Sequence, residues 1–124
     1  RTPLHLASAN GHADVVRYLA QKNCQLNLVD NLMRTPLMKA VQCQQEACVA
    51  IMLEHGADPD LADTDSSTAL HLAVLSVNTT VAGPFLRHNA SSDAQNKGGY
   101  TPLNLAVSKE HEEMLECFIK KAAD

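Results

Sequence analysis

The chain carries six histidines, four cysteines and fourteen acidic residues, types that act as general acids and bases, nucleophiles and zinc ligands. No two cysteines form a Cys-x-x-Cys pair, and their spacing matches no common zinc arrangement. The histidines occur in pairs whose members are separated by one constant interval or a multiple of it: His5 and His71, His55 and His88, and His12 and His111. Residues repeated at that spacing lie in separate structural units, so they cannot converge on one substrate atom. The sequence therefore predicts no catalytic residues, no metal site and no cofactor.

The cysteines are interpreted as reduced thiols rather than as a disulfide framework. Cys48 and Cys117 fall in an apolar helical stripe, where small buried hydrophobic residues are expected. Nothing else in the sequence resembles a small secreted scaffold, although sequons at Asn78 and Asn89 point the other way. Reduced cysteines favour a cytoplasmic or nuclear protein.

The elements that would position these side chains repeat along the chain. The hexapeptide Thr2-Pro3-Leu4-His5-Leu6-Ala7 returns in altered form at Thr35, Thr68 and Thr101, so the four threonines are equally spaced. Threonine suits the N-cap of a helix, and in three copies proline follows at the first helical position. A second apolar helical pattern follows in every copy. The sequence therefore predicts a series of helix-turn-helix units.

The motif Thr-Pro-Leu-His-x-Ala, together with Gly11-His12 and His55-Gly56-Ala57-Asp58, resembles the ankyrin-repeat family over essentially the whole chain. More narrowly, segments 37–44 and 55–63 are similar to the POTE-like group of mammalian ankyrin-repeat proteins. The resemblance implies an all-α solenoid of stacked helix-turn-helix units joined by β-hairpin-like loops. It also implies that residues 1–124 form a single domain, with an incomplete repeat at 1–30 and further repeats at 31–63, 64–96 and 97–124.

The resemblance also assigns structural roles to single residues. In the family, the motif histidine bonds the threonine hydroxyl and nearby backbone, so His5 and His71 are expected to be structural. The family's hairpin glycine is replaced by Met33 and Ser66, and its glycine between the helices by residues Gln44, Val77 and Glu110. Such positions must either hold a non-glycine residue at positive φ or adopt another turn.

A proline interrupts one of the second helices. Pro84 follows Gly83 in the repeat at 64–96. Proline inside a helix costs about 3 kcal/mol, because it removes a hydrogen bond and clashes with the preceding turn. We expect that helix either to start late, with Pro84 in its first turn, or to be kinked.

In ankyrin arrays, ligands bind along a concave surface formed by the hairpin tips and the exposed side of the first helices. Carried over position by position, the resemblance places eight candidate partner-binding residues there: Leu32, Met33, Arg34, Gln42, Cys43, Asp65, Leu75 and Tyr100. Three of them are apolar groups outside the expected core, and Arg and Tyr are enriched at binding hot spots. We expect the centre of the site in the groove of the second and third repeats.

These observations favour a non-catalytic protein–protein interaction module whose partner is another protein. The alternatives are a structural spacer within a larger protein, or a substrate of asparagine hydroxylation at Asn27, as in some ankyrin repeats. A net charge of −4 argues against nucleic-acid and anionic-membrane partners. No apolar run approaches the roughly 20 residues that span a bilayer. No small-molecule substrate is indicated, and the chain is expected to be monomeric.

Overall fold

A computed structural model describes residues 2–22, 25–75, 81–88, 90, 94–109 and 111–123. Eight helices are present in these residues: α1 (Pro3–Asn10), α2 (Ala13–Gln21), α3 (Pro36–Gln42), α4 (Glu46–Glu54), α5 (Ala69–Leu75), α6 (Ala82–Arg87), α7 (Pro102–Ser108) and α8 (Glu112–Ala123). The odd-numbered helices are the first helices of the units, and the even-numbered helices are the second.

The first helices begin where the threonines predict. The hydroxyl oxygens of Thr2, Thr35 and Thr101 each accept a hydrogen bond from the backbone N–H three residues later. Proline occupies the first turn of each of these helices, where its missing N–H removes no intrahelical bond. The repeated Thr-Pro pair thus fixes the start of α1, α3 and α7.

The helices pack in two parallel rows. Each first helix contacts the next first helix, from α1 through α3 and α5 to α7, and the second helices form a matching row from α2 to α8. A small residue lies in the interior of every first helix, which lets neighbouring helices approach closely: Ala7, Ala40, Ala73 and Ala106, all buried. Between the rows lies a core of larger side chains that includes Leu37, Leu70, Val49, Met52 and Phe85. The predicted all-α repeat fold is confirmed.

Three hairpin loops project from the rows, and each is closed by one side-chain oxygen. We call them hairpin 1 (30–34), hairpin 2 (63–67) and hairpin 3 (96–100). The first residue of each hairpin accepts two backbone N–H groups at 2.8–3.1 Å, two and four residues later: Asp30, Asp63 and Asn96. Its own N–H donates to the carbonyl of the last hairpin residue at 3.0 Å. Side-chain capping therefore replaces most of the ladder that a β-hairpin would have.

Histidines tie two of these hairpins to the preceding unit. The backbone N–H of Thr2 donates to Nδ1 of His5 at 3.2 Å, and Nε2 of His5 lies 2.9 Å from the carbonyl oxygen of Arg34 in hairpin 1. His71 repeats the arrangement with Thr68 at 3.1 Å and with the carbonyl of Tyr100 in hairpin 3 at 2.7 Å. An Nδ1 that accepts leaves the proton on Nε2, so both contacts fit a neutral ring. The structural role implied for His5 and His71 is confirmed.

The replaced glycines keep the glycine conformation. Met33 and Ser66 have φ values of 62° and 59°, close to the 81° of Gly99 at the same hairpin position. Gln44, between α3 and α4, has φ 57°, and Gly11 at the equivalent position has φ 75°. Val77 and Glu110 lie outside the described residues. Of the two expected solutions, the chain holds non-glycine residues in the left-handed region.

Pro84 lies in the first turn of α6, which begins at Ala82. The first four N–H groups of a helix have no intrahelical acceptor, so the missing N–H of Pro84 removes no helical bond. Its carbonyl accepts from the N–H of His88 at 3.1 Å. The structure therefore shows a helix that starts close to the proline, which avoids the cost expected for a helix interior.

The strain at hairpin 1 predicts that Met33→Gly stabilises the fold. Glycine adopts positive φ without the steric cost that an L side chain bears, and the half-exposed Met33 side chain contributes little burial. Glycine also gives the unfolded chain more conformational entropy, which opposes this gain. Once that cost is subtracted, the free energy of unfolding should rise by about 0.5–1 kcal/mol. Urea denaturation measures it. Gly99→Ala, the reverse change at the same hairpin position, should lower stability, and a loss from Met33→Gly would contradict this account.

The histidine tie predicts that His71→Leu destabilises the fold by about 2–3 kcal/mol, since it removes two hydrogen bonds and leaves the buried N–H of Thr68 without its acceptor. Leucine keeps most of the buried volume, so the loss reports on the ring nitrogens. The matched control is Asn104→Leu, at the same repeat position on an exposed site, which should change stability by less than about 0.5 kcal/mol. Equal effects of the two changes in thermal or urea unfolding would contradict the role of the tie.

Candidate functional site

The candidate groove is built from hairpin tips and the last turns of the first helices. Hairpin tips are joined to one another, because the N–H of Thr64 donates to the carbonyl of Leu32 at 3.1 Å and that of Lys97 to the carbonyl of Asp65 at 3.0 Å. These bonds run at the same repeat positions, so the three hairpins form a continuous edge. The candidate residues on it therefore hold fixed positions relative to one another.

Seven of the eight candidate residues carry exposed side chains. The apolar and aromatic ones are Leu32, Met33, Leu75 and Tyr100, and the polar or small ones are Gln42, Cys43 and Asp65. Leu75 is 54% exposed, although most aliphatic side chains of α5 are buried, and Leu32 in hairpin 1 is 48% exposed. Accessibility is what a binding site requires, so these seven remain candidates.

Arg34, the eighth candidate, has a partner within the chain. Its Nε lies 3.5 Å from Oδ2 of Asp63, and only 22% of the Arg34 side chain and 2% of the Asp63 side chain are exposed. The Nε is itself buried and has no hydrogen-bond partner, so the contact is an ion pair without hydrogen-bond geometry. Arg34 thus connects hairpin 1 to hairpin 2 within the chain.

A second ion pair, which the sequence interpretation did not include, lies beside hairpin 1. Nζ of Lys39 is 3.6 Å from Oδ2 of Asp30, and both side chains are largely buried. They line a depression of about 280 Å³ together with Asn31 and Leu32. The signal was available in the repeat, since Lys39 stands at the position that is leucine in the other three copies, at residues 6, 72 and 105.

The electrostatics of Asp30 follow from its neighbours. Burial raises the pKa of its carboxyl, but the backbone N–H groups of Arg34 and Leu32 and the charge of Lys39 outweigh burial and hold the pKa below its ordinary value. The ionised form is therefore favoured by folding. Its contribution to stability is present at neutral pH and is lost as the pH falls through the acid range.

The cysteines in the part of the chain that the structure describes are free thiols. Cys43 is exposed, Cys117 is partly buried, and both are free thiols. Cys48 is buried, and burial raises the pKa of its thiol, which suits the expected packing role. Cys24 lies outside the described residues. Within those residues no three His, Cys, Asp or Glu side chains are placed to share a metal ion, and no helix is long and apolar enough to cross a bilayer.

Asn27 is placed in the loop between the first two units. Its Oδ1 accepts a hydrogen bond from the backbone N–H of Asp58 at 3.0 Å, so its amide connects two successive inter-unit loops. An enzyme that modifies Asn27 would have to break this hydrogen bond to reach the side chain.

Two comparisons with known proteins bear on this arrangement. A family model described as ankyrin repeats in three copies matches residues 1–63 and again 53–124. Similar proteins include a putative palmitoyltransferase ZDHHC13 of Danio rerio, 39% identical over 65% of this chain, and palmitoyltransferase AKR1 of Lachancea kluyveri, 41% identical over 60%. Palmitoyltransferase ZDHHC13 of Homo sapiens is 35% identical over 56% of the chain.

These matches cover only 10–13% of the length of the three relatives. All three carry palmitoyltransferase names, so they give no support to the narrower resemblance to the POTE-like group. The family model, in contrast, spans both halves of the sequence and agrees with the repeated Thr-capped helices, the hairpins and the histidine ties. The chain therefore belongs to the ankyrin-repeat family.

Proposed function

We propose that the chain is a non-catalytic module that binds a protein through the groove formed by its hairpin tips and first helices. The observation that carries the proposal is the tip of hairpin 1. There Leu32 and Met33 are each 48% exposed, on a loop that the Asp30 carboxylate closes with two backbone hydrogen bonds. Apolar side chains held in place outside the core can be buried by a partner with little further loss of conformational entropy.

The backbone at Met33 supports the same interpretation. A methionine at φ 62° costs stability that glycine would restore, and its side chain is not needed for the core. Strained residues of this kind concentrate at binding sites, where the strain is offset by the interaction they make. Leu75 adds an exposed apolar side chain at the end of α5, a first helix that carries the groove in the next unit.

The relatives suggest the context of such a module. Their names describe palmitoyltransferases, and the matched segments form a small part of each. By analogy, the chain would act as the binding segment of a larger protein, with any transfer chemistry carried out elsewhere in that protein. The rival interpretation, a spacer that only separates its neighbours, assigns no partner to the groove, so partner binding distinguishes the two.

The groove hypothesis predicts that Leu32→Ala and Leu75→Ala each weaken partner binding by about 1–3 kcal/mol, the range of interface hot spots. The partner is recovered by affinity purification on the wild-type chain, and its dissociation constants with each variant are measured by calorimetry. Arg34→Ala is a poor probe because it also leaves the buried Asp63 unpaired. Circular dichroism verifies that each variant is folded.

The matched control is Glu54→Ala, at an exposed position on the second-helix side of the solenoid. It should leave the dissociation constant unchanged. Wild-type affinity in both groove variants would reject the groove, and a loss confined to Glu54→Ala would place the site on the opposite side. The purification is repeated with a Leu32→Ala, Leu75→Ala double variant. If every protein recovered by the wild-type chain also binds this double variant, the spacer interpretation is favoured.

A further inference from the structure

One position of the repeat carries lysine in the second unit and leucine in the other three. Lys39 lies in α3 at the position that Leu72 occupies in α5 and Leu105 in α7. Leu72 packs against the core and Leu105 is 7% exposed, so this position holds an aliphatic side chain largely removed from water. Only 14% of the Lys39 side chain is exposed. The second unit therefore places an ammonium group where the later units bury a leucine.

Hairpin 1 does not need this lysine to close. Asp63 closes hairpin 2 and Asn96 closes hairpin 3 with the same two backbone hydrogen bonds, although leucine stands at the lysine position of both units. Asp30 accepts the corresponding two N–H groups in hairpin 1. The ion pair between Asp30 and Lys39 is therefore additional to loop closure.

The ion pair offsets only part of the cost of burying the ammonium group. Nζ of Lys39 lies 3.6 Å from Oδ2 of Asp30, which is longer than a hydrogen bond, and no hydrogen bond from Nζ is present within the described residues. An ammonium group has three N–H donors and loses hydration when it is buried. Apolar side chains in place of a buried ion pair are often neutral or stabilising. Departures from a local pattern that carry such a cost are concentrated at functional sites.

The ion pair faces a depression in the groove. Lys39 and Asp30 line this depression of about 280 Å³ together with Asn31 and Leu32, and both of the latter have exposed side chains at the tip of hairpin 1. The depression is thus continuous with the apolar tip on which the proposed function rests. It has space for one side chain of a bound protein.

The chemistry of the depression selects the kind of side chain that fits. The ammonium group of Lys39 can only donate hydrogen bonds, and the ionised carboxylate of Asp30 can only accept them. Their charges are opposite, so a carboxylate placed between them is repelled by Asp30 and a cation is repelled by Lys39. An amide or a hydroxyl both accepts and donates, and it complements the two groups without adding a charge.

We propose that Lys39 and Asp30 form a polar subsite of the groove that binds an uncharged amide or hydroxyl side chain of the partner protein. This inference rests on the proposed function, because the side chain belongs to the protein that the groove binds. Lys39 donates to the oxygen of that side chain, and Asp30 accepts its N–H or O–H. The subsite confers specificity, since an aliphatic side chain there would displace water from the ammonium group without replacing its hydrogen bonds.

The first test is the stability of a variant that combines Asp30→Asn with Lys39→Leu, which we call the subsite variant. It reproduces the pair Asn96 and Leu105 of the fourth unit, so hairpin 1 keeps a side-chain oxygen that closes it. Its melting temperature, measured by circular dichroism, should equal or exceed that of the wild type. A clear fall would show that the ion pair is needed to hold hairpin 1 and would overturn the proposal.

The second test uses peptides selected from a random-peptide phage library on the purified wild-type chain. The selected peptides should share one amide or hydroxyl residue, and the subsite variant should bind them about tenfold more weakly in fluorescence anisotropy. An aliphatic residue in place of the shared one should weaken binding to the wild type by a similar factor. It should not weaken binding to the subsite variant further, because both changes remove the same contact. Glu54→Ala is the matched control and should bind as the wild type.

The outcomes separate this inference from the proposed function. Peptides that lose affinity with Leu75→Ala but bind the subsite variant as they bind the wild type overturn the subsite and leave groove binding intact. A shared acidic or basic residue in place of the uncharged one also overturns the subsite. Peptides whose affinity is unchanged by Leu32→Ala, by Leu75→Ala and in the subsite variant, or a library that yields no binding peptide, contradict the groove and the subsite together.

Discussion

A single side-chain oxygen at the start of each hairpin is the interaction on which the rest of this structure depends. Asp30, Asp63 and Asn96 each hold two backbone N–H groups, and this closes loops too short to form a ladder. The closed loop delivers the next residue as the N-cap of a first helix. It also presents the carbonyl that a histidine of the preceding unit binds in two of the three hairpins. Helix starts, unit stacking and the groove edge all follow from that loop.

The constant repeat period was sufficient to predict the helices and their order, because both depend on short-range chemistry repeated in register. The role of His5 and His71 was implied instead by the resemblance to the ankyrin-repeat family. The exposure of Leu32, Met33 and Leu75 followed from the positions that this resemblance implied. The pairing of Arg34 with Asp63 did not, since the two residues belong to different hairpins and the period gives no side-chain direction. The pairing of Lys39 with Asp30 was missed for a related reason, because it joins a helix to a loop. Its only sign in the sequence was a lysine at a repeat position that is leucine in the other three units.

Departures from the repeat are concentrated in the second and third units. Met33, Gln44 and Ser66 hold positive φ without glycine, and Met38 stands where the neighbouring units carry histidine. A buried methionine fills the space of the ring but offers no proton donor to the carbonyl of Ser67. Hairpin 2 is therefore the hairpin that lacks a histidine tie, and it is also the one whose Asp63 is paired with Arg34. The ion pair takes over a connection that neutral hydrogen bonds provide at the other two hairpins.

Because an ion pair stands where the other hairpins have histidine hydrogen bonds, successive units of the array are connected by different types of interaction. In a nearest-neighbour description of a repeat protein, each junction contributes its own free energy, and unfolding proceeds from the least stable one. Junctions held by neutral imidazoles respond little to salt, whereas attraction between Arg34 and Asp63 is screened to the extent that solvent reaches it. Because the Asp63 side chain is only 2% exposed, salt reaches this pair poorly, and the charged junction keeps most of its attraction as the ionic strength rises. The three hairpins are thus anchored by two kinds of contact, imidazole hydrogen bonds at hairpins 1 and 3 and a largely buried ion pair at hairpin 2.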